Sequence, residues 1–436
     1  MSVSSITPDT WIESDSDVSI GGKSVRELVR EFGGTPLYVY CEATVRNMCR
    51  AYRAAFESRY ERVHVEYSSK AFPHPAIARI VHDEGLHLDV TSGGELALAL
   101  AGRMPASRVN FHGNNKTVAE LSEALDARIG RITVDSEQEL ERLNELAGAR
   151  GMRQPVLLRL SPSVDPHTHL LTTTGVLDSK FGFSIETGAA ERAVVRALAL
   201  PHLSVVGVHF HLGSPLFETE PYEQAIEYTL AFVARMRDAH GFAMTEFSPG
   251  GGFAVPYVRD RVAPTAADYA DVIVGALKRS CAKHGLPLPL LTVEPGRVLV
   301  ARAGVAIYSV GGIKHVEGVR TFVSVDGGMG DNIRPPLYDA VYSVLSVSQP
   351  RAPATQKVAI VGKFCESGDY LARDVLVAPP RVGDLIAMPC AGAYQVAMSS
   401  NYNAFLRPAV VFVRDGEARV VLRRETYADL LSRCSD

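Results

Sequence analysis

The sequence is poor in the features that mark a secreted, membrane-bound or nucleic-acid-binding chain. Only six cysteines occur in 436 residues, at 41, 49, 281, 365, 390 and 434, and no CxxC pair is among them. Disulfide frameworks belong to short secreted domains and structural zinc sites need close cysteine pairs, so neither is expected. No apolar run approaches the roughly 18–20 residues that a membrane helix requires. Met1–Asp17 is polar and acidic, without the basic and apolar stretches that open a signal peptide. The expected location is therefore the cytoplasm, with no membrane partner. Lys plus Arg number 45 against 49 Asp plus Glu, a formal net charge of −4. That balance leaves no positive excess for a nucleic-acid surface. No G-x-G-x-x-G follows an early strand-like run, and no internal repeat, low-complexity tract or long linker is visible.

What is present is a hydrophobic fraction of 46%, ordinary for a globular chain, over a length that suits two or three domains. Between about residues 60 and 300, short apolar runs alternate with amphipathic stretches. The strand candidates are Val63–Ser68, Leu86–Val90, Val109–His112, Arg131–Asp135, Val156–Ser161, Val205–His211, Thr245–Ser248 and Leu290–Glu294. Helical periodicity fills intervals such as Gly94–Ala101, Thr117–Ala127, Ser136–Ala149 and Pro221–His240. Eight strands alternating with helices predict a parallel (β/α)8 barrel of the TIM type. A doubly wound open sheet is the alternative, without its glycine fingerprint. Beyond about Ala306, short strand-like runs follow one another with little helix until Glu425–Leu431. They predict an all-β domain, a sandwich or small barrel, which the β-like pieces Asp17–Ile20 and Pro36–Tyr40 join. The expected domains are 41–305 for the barrel and 1–40 with 306–436 for the β domain.

In such a barrel the chemistry gathers at the C-terminal ends of the strands. There the sequence offers Lys70 after the first strand, Asp89 after the second, His112 to Lys116 after the third, Asp135 after the fourth and Arg159 on the fifth. The sixth carries His209 and His211, two apart and so on one face. The seventh ends in Gly250, Gly251 and Gly252, and the eighth in Glu294-Pro295-Gly296-Arg297. Paired histidines raise a metal-dependent hydrolase, with His112 and Asp135 as further ligands. That reading leaves Lys70 and the glycines idle. A lysine for an imine, bare amides for a phosphate, a flat imidazole and a carboxylate together suit pyridoxal phosphate instead, with no metal. The ordinary readings are a surface lysine at 70 and buried, inert cysteines. Cys365 departs from the latter because it sits in Cys-Glu-Ser-Gly-Asp.

These residues resemble the alanine-racemase-like barrel class of pyridoxal-phosphate enzymes, and within it the diaminopimelate decarboxylase family. The likeness rests on Tyr67–Ala71, Asp89–Leu96, Phe111–Thr117, Lys180-Phe181-Gly182, Gly207–Ser214 (GVHFHLGS), Gly250–Gly252 and Glu294–Arg297. It continues through Asp326–Tyr338 (DGGMGDNIRPPLY), Cys365–Asp369 and Gly392–Asn403 (GAYQVAMSSNYN), all in the family's order. The resemblance implies that Lys70 holds the cofactor as an imine, His211 stacks on its ring, and Asp89 and Arg159 lie near both. Ser214, Gly250, Gly251, Gly252, Gly296 and Arg297 would bind the phosphate, Tyr394 would pack on the cofactor, and Glu294 would meet the pyridine nitrogen. A carboxylate there favours the protonated ring, a stronger electron sink suited to decarboxylation. Arg297, Arg334 and Tyr338 would take a distal carboxylate and Glu366 a distal ammonium, as in meso-diaminopimelate. Cys365 would return a proton, reaching with Glu366 into a partner's site in a homodimer. His112 to Lys116 is expected as a lid, and the loop Pro166–Gly175 with His167 and His169 as structural or gating. Phe72 and Pro215-Leu216 depart from the family pattern. They keep a sister decarboxylase for another amino acid open, alongside the hydrolase and a cofactor binder without turnover.

Overall fold

The structure, a computed structural model, describes residues 3–164 and 179–435. His167 and His169 lie outside the described residues. The chain divides into two compact units, one of residues 48–254 with 263–297, the other of residues 1–47, 255–262 and 298–436.

The first unit is a closed parallel barrel. Its strands are β1 Val63–Ser68, β2 His87–Val90, β3 Val109–Phe111, β4 Arg131–Val134, β5 Gln154–Ser161, β6 Leu203–His209, β7 Glu246–Ser248 and β8 Leu290–Val293. They pair in sequence order, and the pairings β4 with β5 and β8 with β1 close the ring. The turns explain why strand gives way to helix on cue. Ser92 and Ser136 cap their helices by accepting from the amides of Glu95 and Glu139, and Thr117 with Glu120 and Thr265 with Asp268 form reciprocal capping boxes. Each places a hydroxyl on an otherwise unpaired first-turn amide and an acid near the positive end of the helix. The longest helices stop at Gly241 and Gly285, whose left-handed φ of 71° and 62° costs glycine nothing.

The barrel lumen is unusually polar. His64 and His87 stack with ring centroids 3.9 Å apart, Arg131 Nε donates to Glu246 Oε2 at 2.8 Å, and Thr133 donates to Asn110 at 3.1 Å. Branched aliphatic layers usually fill this space. Here the apolar packing lies outside the strands, where Tyr52, Phe253, Tyr222 and Tyr269 meet at ring distances of 4.6–6.2 Å.

The second unit is built on a sheet in which the strand Leu37–Cys41 lies between Gly304–Val316 and Ala409–Arg414. The N-terminal segment thus belongs to the β domain, as its pattern foretold. Gly304–Val316 runs on past Val310, where the sequence had suggested an end. A register shift between Val310 and Gly312 lets its first half pair with Leu385–Met388 and its second with Arg320–Val325. Gly311 and Gly312 form a bulge within a bent strand. A helix, Val25–Glu31, stands where only strand-like pieces were expected. Its cue is the capping serine, Ser24, which accepts from the amide of Glu27. Tyr342–Val347 forms a strand only at Leu345–Ser346.

Candidate active site

The mouth of the barrel gathers most of the strand-end residues singled out above. Lys70 follows β1 in a short 3-10 turn and is exposed. Asp89, at the end of β2, is buried and accepts from Ser68 Oγ at 3.2 Å. Burial and the nearby Glu294 raise its pKa, and the Lys70 ammonium opposes them. Arg159 is buried above the Phe181 ring at 4.2 Å and lies 3.7 Å from Asp135. Asp135 also accepts from the Gly182 amide at 2.8 Å. The Lys-Phe-Gly stretch after β5 therefore seats Arg159.

His211 lies two residues past the end of β6, and its Nδ1 accepts from the Gly251 amide at 3.3 Å. Burial, with Lys70 second, pushes its pKa well below the ordinary histidine value. The glycine run must be glycine to allow this approach. A Cβ at Gly250, whose φ is +73°, would stand 2.9 Å from His211 Nδ1, and one at Gly251 would stand 2.0 Å from the Glu294 carbonyl oxygen. The same argument holds at Gly252 against Gly213 O, at 2.3 Å, and at Gly296 against Ser68. Arg297 is buried and donates from Nε and Nη2 to Ser214 Oγ at 3.3 and 3.2 Å.

Glu294 is the best anchored of the set. His209 Nε2 lies 3.2 Å from its Oε2, Ser248 Oγ donates to its Oε1 at 2.7 Å, and His112 Nε2 is 3.8 Å from Oε1. Burial alone would raise its pKa, but the bonds from His209 and Ser248 hold it ionised. Ser248 was not foreseen and is visible in the sequence only as the last residue of β7. His112 has two readings there, as an inward ligand and as the start of a lid. The lid reading fits poorly at both ends. His112 is buried, and Lys116 turns inward to donate to Gly113 O, Thr133 O and Glu139 at 2.7–2.8 Å. His112, His209 and Glu294 offer ligand atoms within 4.8 Å of one another. The set drawn for a hydrolase does not assemble, since His211 and Asp135 are turned to Gly251 and to Gly182 with Arg159.

The β unit holds the remaining candidates. Arg334 is buried, donates from Nη1 to Tyr342 Oη at 2.5 Å and lies over the Tyr257 ring at 5.0 Å. Tyr342 and Tyr257 thus hold the guanidinium. Tyr338 ends the same short helix, Arg334–Tyr338, and is half-buried. Cys365 and Glu366 are exposed on the loop between Gln356–Val361 and Tyr370–Val377. That loop is braced by Asp369, which accepts from the amides of Met329 and Phe364 at 2.7 and 2.9 Å, and by Asn403, which accepts from the Cys365 amide at 2.8 Å. Tyr394 adopts a left-handed φ of 63°, a cost that tends to persist at functional positions. The departures at 72 and 216 are both buried, with Phe72 ringed by Tyr67 and His74 and Leu216 bonded to Gly252 and Tyr269. They read as packing.

The donor set fits pyridoxal phosphate: an amine at the mouth, an arginine–serine pair beside bare amides for a dianion, an imidazole, and an ionised carboxylate. The sequence model described as the pyridoxal binding domain of pyridoxal-dependent decarboxylases matches residues 42–301, which places the chain among pyridoxal-phosphate enzymes. The diaminopimelate decarboxylase of Bacillus subtilis is 43% identical over 414 residues, 95% of this chain and 94% of its own. That of Actinosynnema pretiosum is 46% identical over 421 residues, 96% of this chain and 92% of its own. A crystal structure of diaminopimelate decarboxylase from M. jannaschii in co-complex with L-lysine superposes with a TM-score of 0.91 at 35% identity, covering 98% of this chain and 97% of that one. The chain belongs to the diaminopimelate decarboxylase family.

Proposed function

We propose that the protein decarboxylates meso-2,6-diaminopimelate to L-lysine and CO2, the last step of lysine biosynthesis, in the cytoplasm and as a homodimer. The observation that carries this reading is identity of 43–46% over 95–96% of the chain to proteins of that name. Among the described residues no helix is long and apolar enough to cross a membrane, which agrees with a cytoplasmic site.

When bound, pyridoxal phosphate supplies an electron sink conjugated to the substrate's α-carbon. Lys70 Nζ would be the amine that holds it. The amides of Gly250, Gly251, Gly252 and Gly296, with Ser214 and Arg297, bind the phosphate. His211 would support the ring, Asp89 and Arg159 would lie beside it, and Tyr394 would pack on the cofactor. Glu294 would face the pyridine nitrogen and favour its protonated form. Cys365 Sγ then delivers a proton to the α-carbon. At the substrate's far end Arg297, Arg334 and Tyr338 bind the carboxylate and Glu366 the ammonium, which fixes the α-centre for reaction. In this assignment residues 41–305 hold the cofactor, and residues 1–40 with 306–436 supply substrate and dimer-interface residues. Cys365 and Glu366 serve the partner subunit's site, which suits a thiol and a carboxylate exposed on a braced loop of the single chain.

The test is release of CO2 and L-lysine from meso-diaminopimelate by the cofactor-loaded protein. Lys70→Ala should abolish both, together with the visible absorption of the lysine-bound cofactor. Normal absorption without turnover of meso-diaminopimelate would reject this substrate in favour of another amino acid.

A further inference from the structure

Glu294 needs more than ionisation to serve a ring nitrogen: its carboxylate plane has to be fixed. An ionised carboxylate offers about four lone-pair positions. One is used at Oε1 by Ser248 and one at Oε2 by His209, so each oxygen is held by its own donor, which sets the plane and leaves room for a further donor. Because the carboxylate accepts, the proton of His209 sits on Nε2. Its other nitrogen, Nδ1, is buried with no hydrogen-bond partner among the described residues. A buried imidazole with one bare nitrogen is a poor choice for packing alone and calls for a functional explanation. His112 stands edge-on to the His209 ring, centroids 4.8 Å apart, and limits how that ring can turn. Nothing in the decarboxylation assignment above uses His209 or His112.

We propose that His209 is a positioning residue that orients Glu294 toward the pyridine nitrogen of the cofactor, with Ser248 as the second anchor and His112 as the brace of the His209 ring. The inference rests on the reading of Glu294 as the partner of that nitrogen, and it deepens that reading by assigning the groups that aim the carboxylate.

The test compares two ligands on the cofactor-free protein: pyridoxal phosphate and its 1-deaza analogue, in which a C–H replaces the ring nitrogen. Wild type should bind pyridoxal phosphate at least tenfold more tightly than the analogue. His209→Phe should bring the ratio of the two dissociation constants toward one. His209→Gln, which keeps a donor of similar reach, should restore part of the ratio. Because each ratio is taken within one protein, a general loss of stability cancels. If His209→Phe weakens both ligands equally, His209 is structural and the proposal falls. Glu294→Gln separates the two claims. Loss of preference in Glu294→Gln with full preference in His209→Phe keeps the Glu294 reading and overturns the role of His209. A wild type without preference overturns both.

Discussion

Inside the barrel lie two stacked histidines, an Arg131–Glu246 ion pair and the buried carboxylates Glu66, Asp89 and Glu294. The β unit closes instead around Leu37, Val39, Val305, Ile307, Val347 and Val411, all fully buried. The two interiors draw their stability from different places. A charged lumen gains little from burial, since each ion loses hydration on entering it. The barrel can carry that cost because its peptide ladder closes on itself and its aromatic packing lies outside the strands. The lumen is thereby available for chemistry. In the β unit Cys365 and Glu366 sit instead on a surface loop braced by Asp369 and Asn403.

The strongest way to break the contrast is through activity. Lys70→Ala in the barrel should cost several orders of magnitude in turnover, and Cys365→Ala on the β unit roughly 10²–10⁴-fold, the usual worth of a placed acid. Neither should shift the unfolding midpoint. When the two inactive proteins exchange subunits, mixed dimers carry one intact site each, so activity should return to about a quarter of wild type. No recovery despite demonstrated exchange would show that the thiol does not serve a partner's site.

Stability is the next measure. Ile307→Ala removes a fully buried side chain from the β core and should cost about 2–5 kcal/mol by denaturant unfolding. Glu66 behaves differently. Burial, with Glu294 and Asp89 close, raises its pKa well above the ordinary carboxylate value. Glu66→Gln preserves its shape and should change stability by less than about 1 kcal/mol. A loss as large as that of Ile307→Ala would mean that the lumen is a structural core after all.

The same contrast explains what the sequence made legible. Period-two runs ended by Ser or Thr, with an acid three residues on, state where a strand stops and a helix begins, and every barrel strand from Val63–Ser68 to Leu290–Val293 appeared within a few residues of its expected place. Strand-end chemistry was readable because the architecture says where such ends meet. Lys70, Glu294 and the three glycines could be picked out as a set before any coordinate. Ser248 could not, because its role depends on which strands face one another across the lumen, and His112 could be read either as an inward ligand or as the start of a lid. In the β unit, the bent strand Gly304–Val316 hid behind Gly311-Gly312, and Tyr257, which lies 77 positions from Arg334 in no shared pattern, emerged as its partner only in three dimensions.

Acid titration should separate the two interiors by sign. Burial, and then the charge of His64, lowers the pKa of His87 in the lumen to about 3, against about 6.5 in the unfolded chain. Between these values the unfolded chain binds a proton that the folded barrel refuses, so stability is lost as pH falls. Asp331 in the β unit is pushed the other way by burial, up to about 6, although Tyr308 and Tyr38 donate to it. Unfolded, it titrates near 3.9. In that window the folded state keeps a proton that the unfolded chain has released, so stability is gained as pH falls. Unfolding measured between about pH 7 and 4 should therefore show His87→Gln losing less stability than wild type, and Asp331→Asn missing a gain of about 1–3 kcal/mol. Variants that deviate from wild type in the same direction would mean that charge is accommodated alike in both interiors, and the distinction between lumen and core would fail.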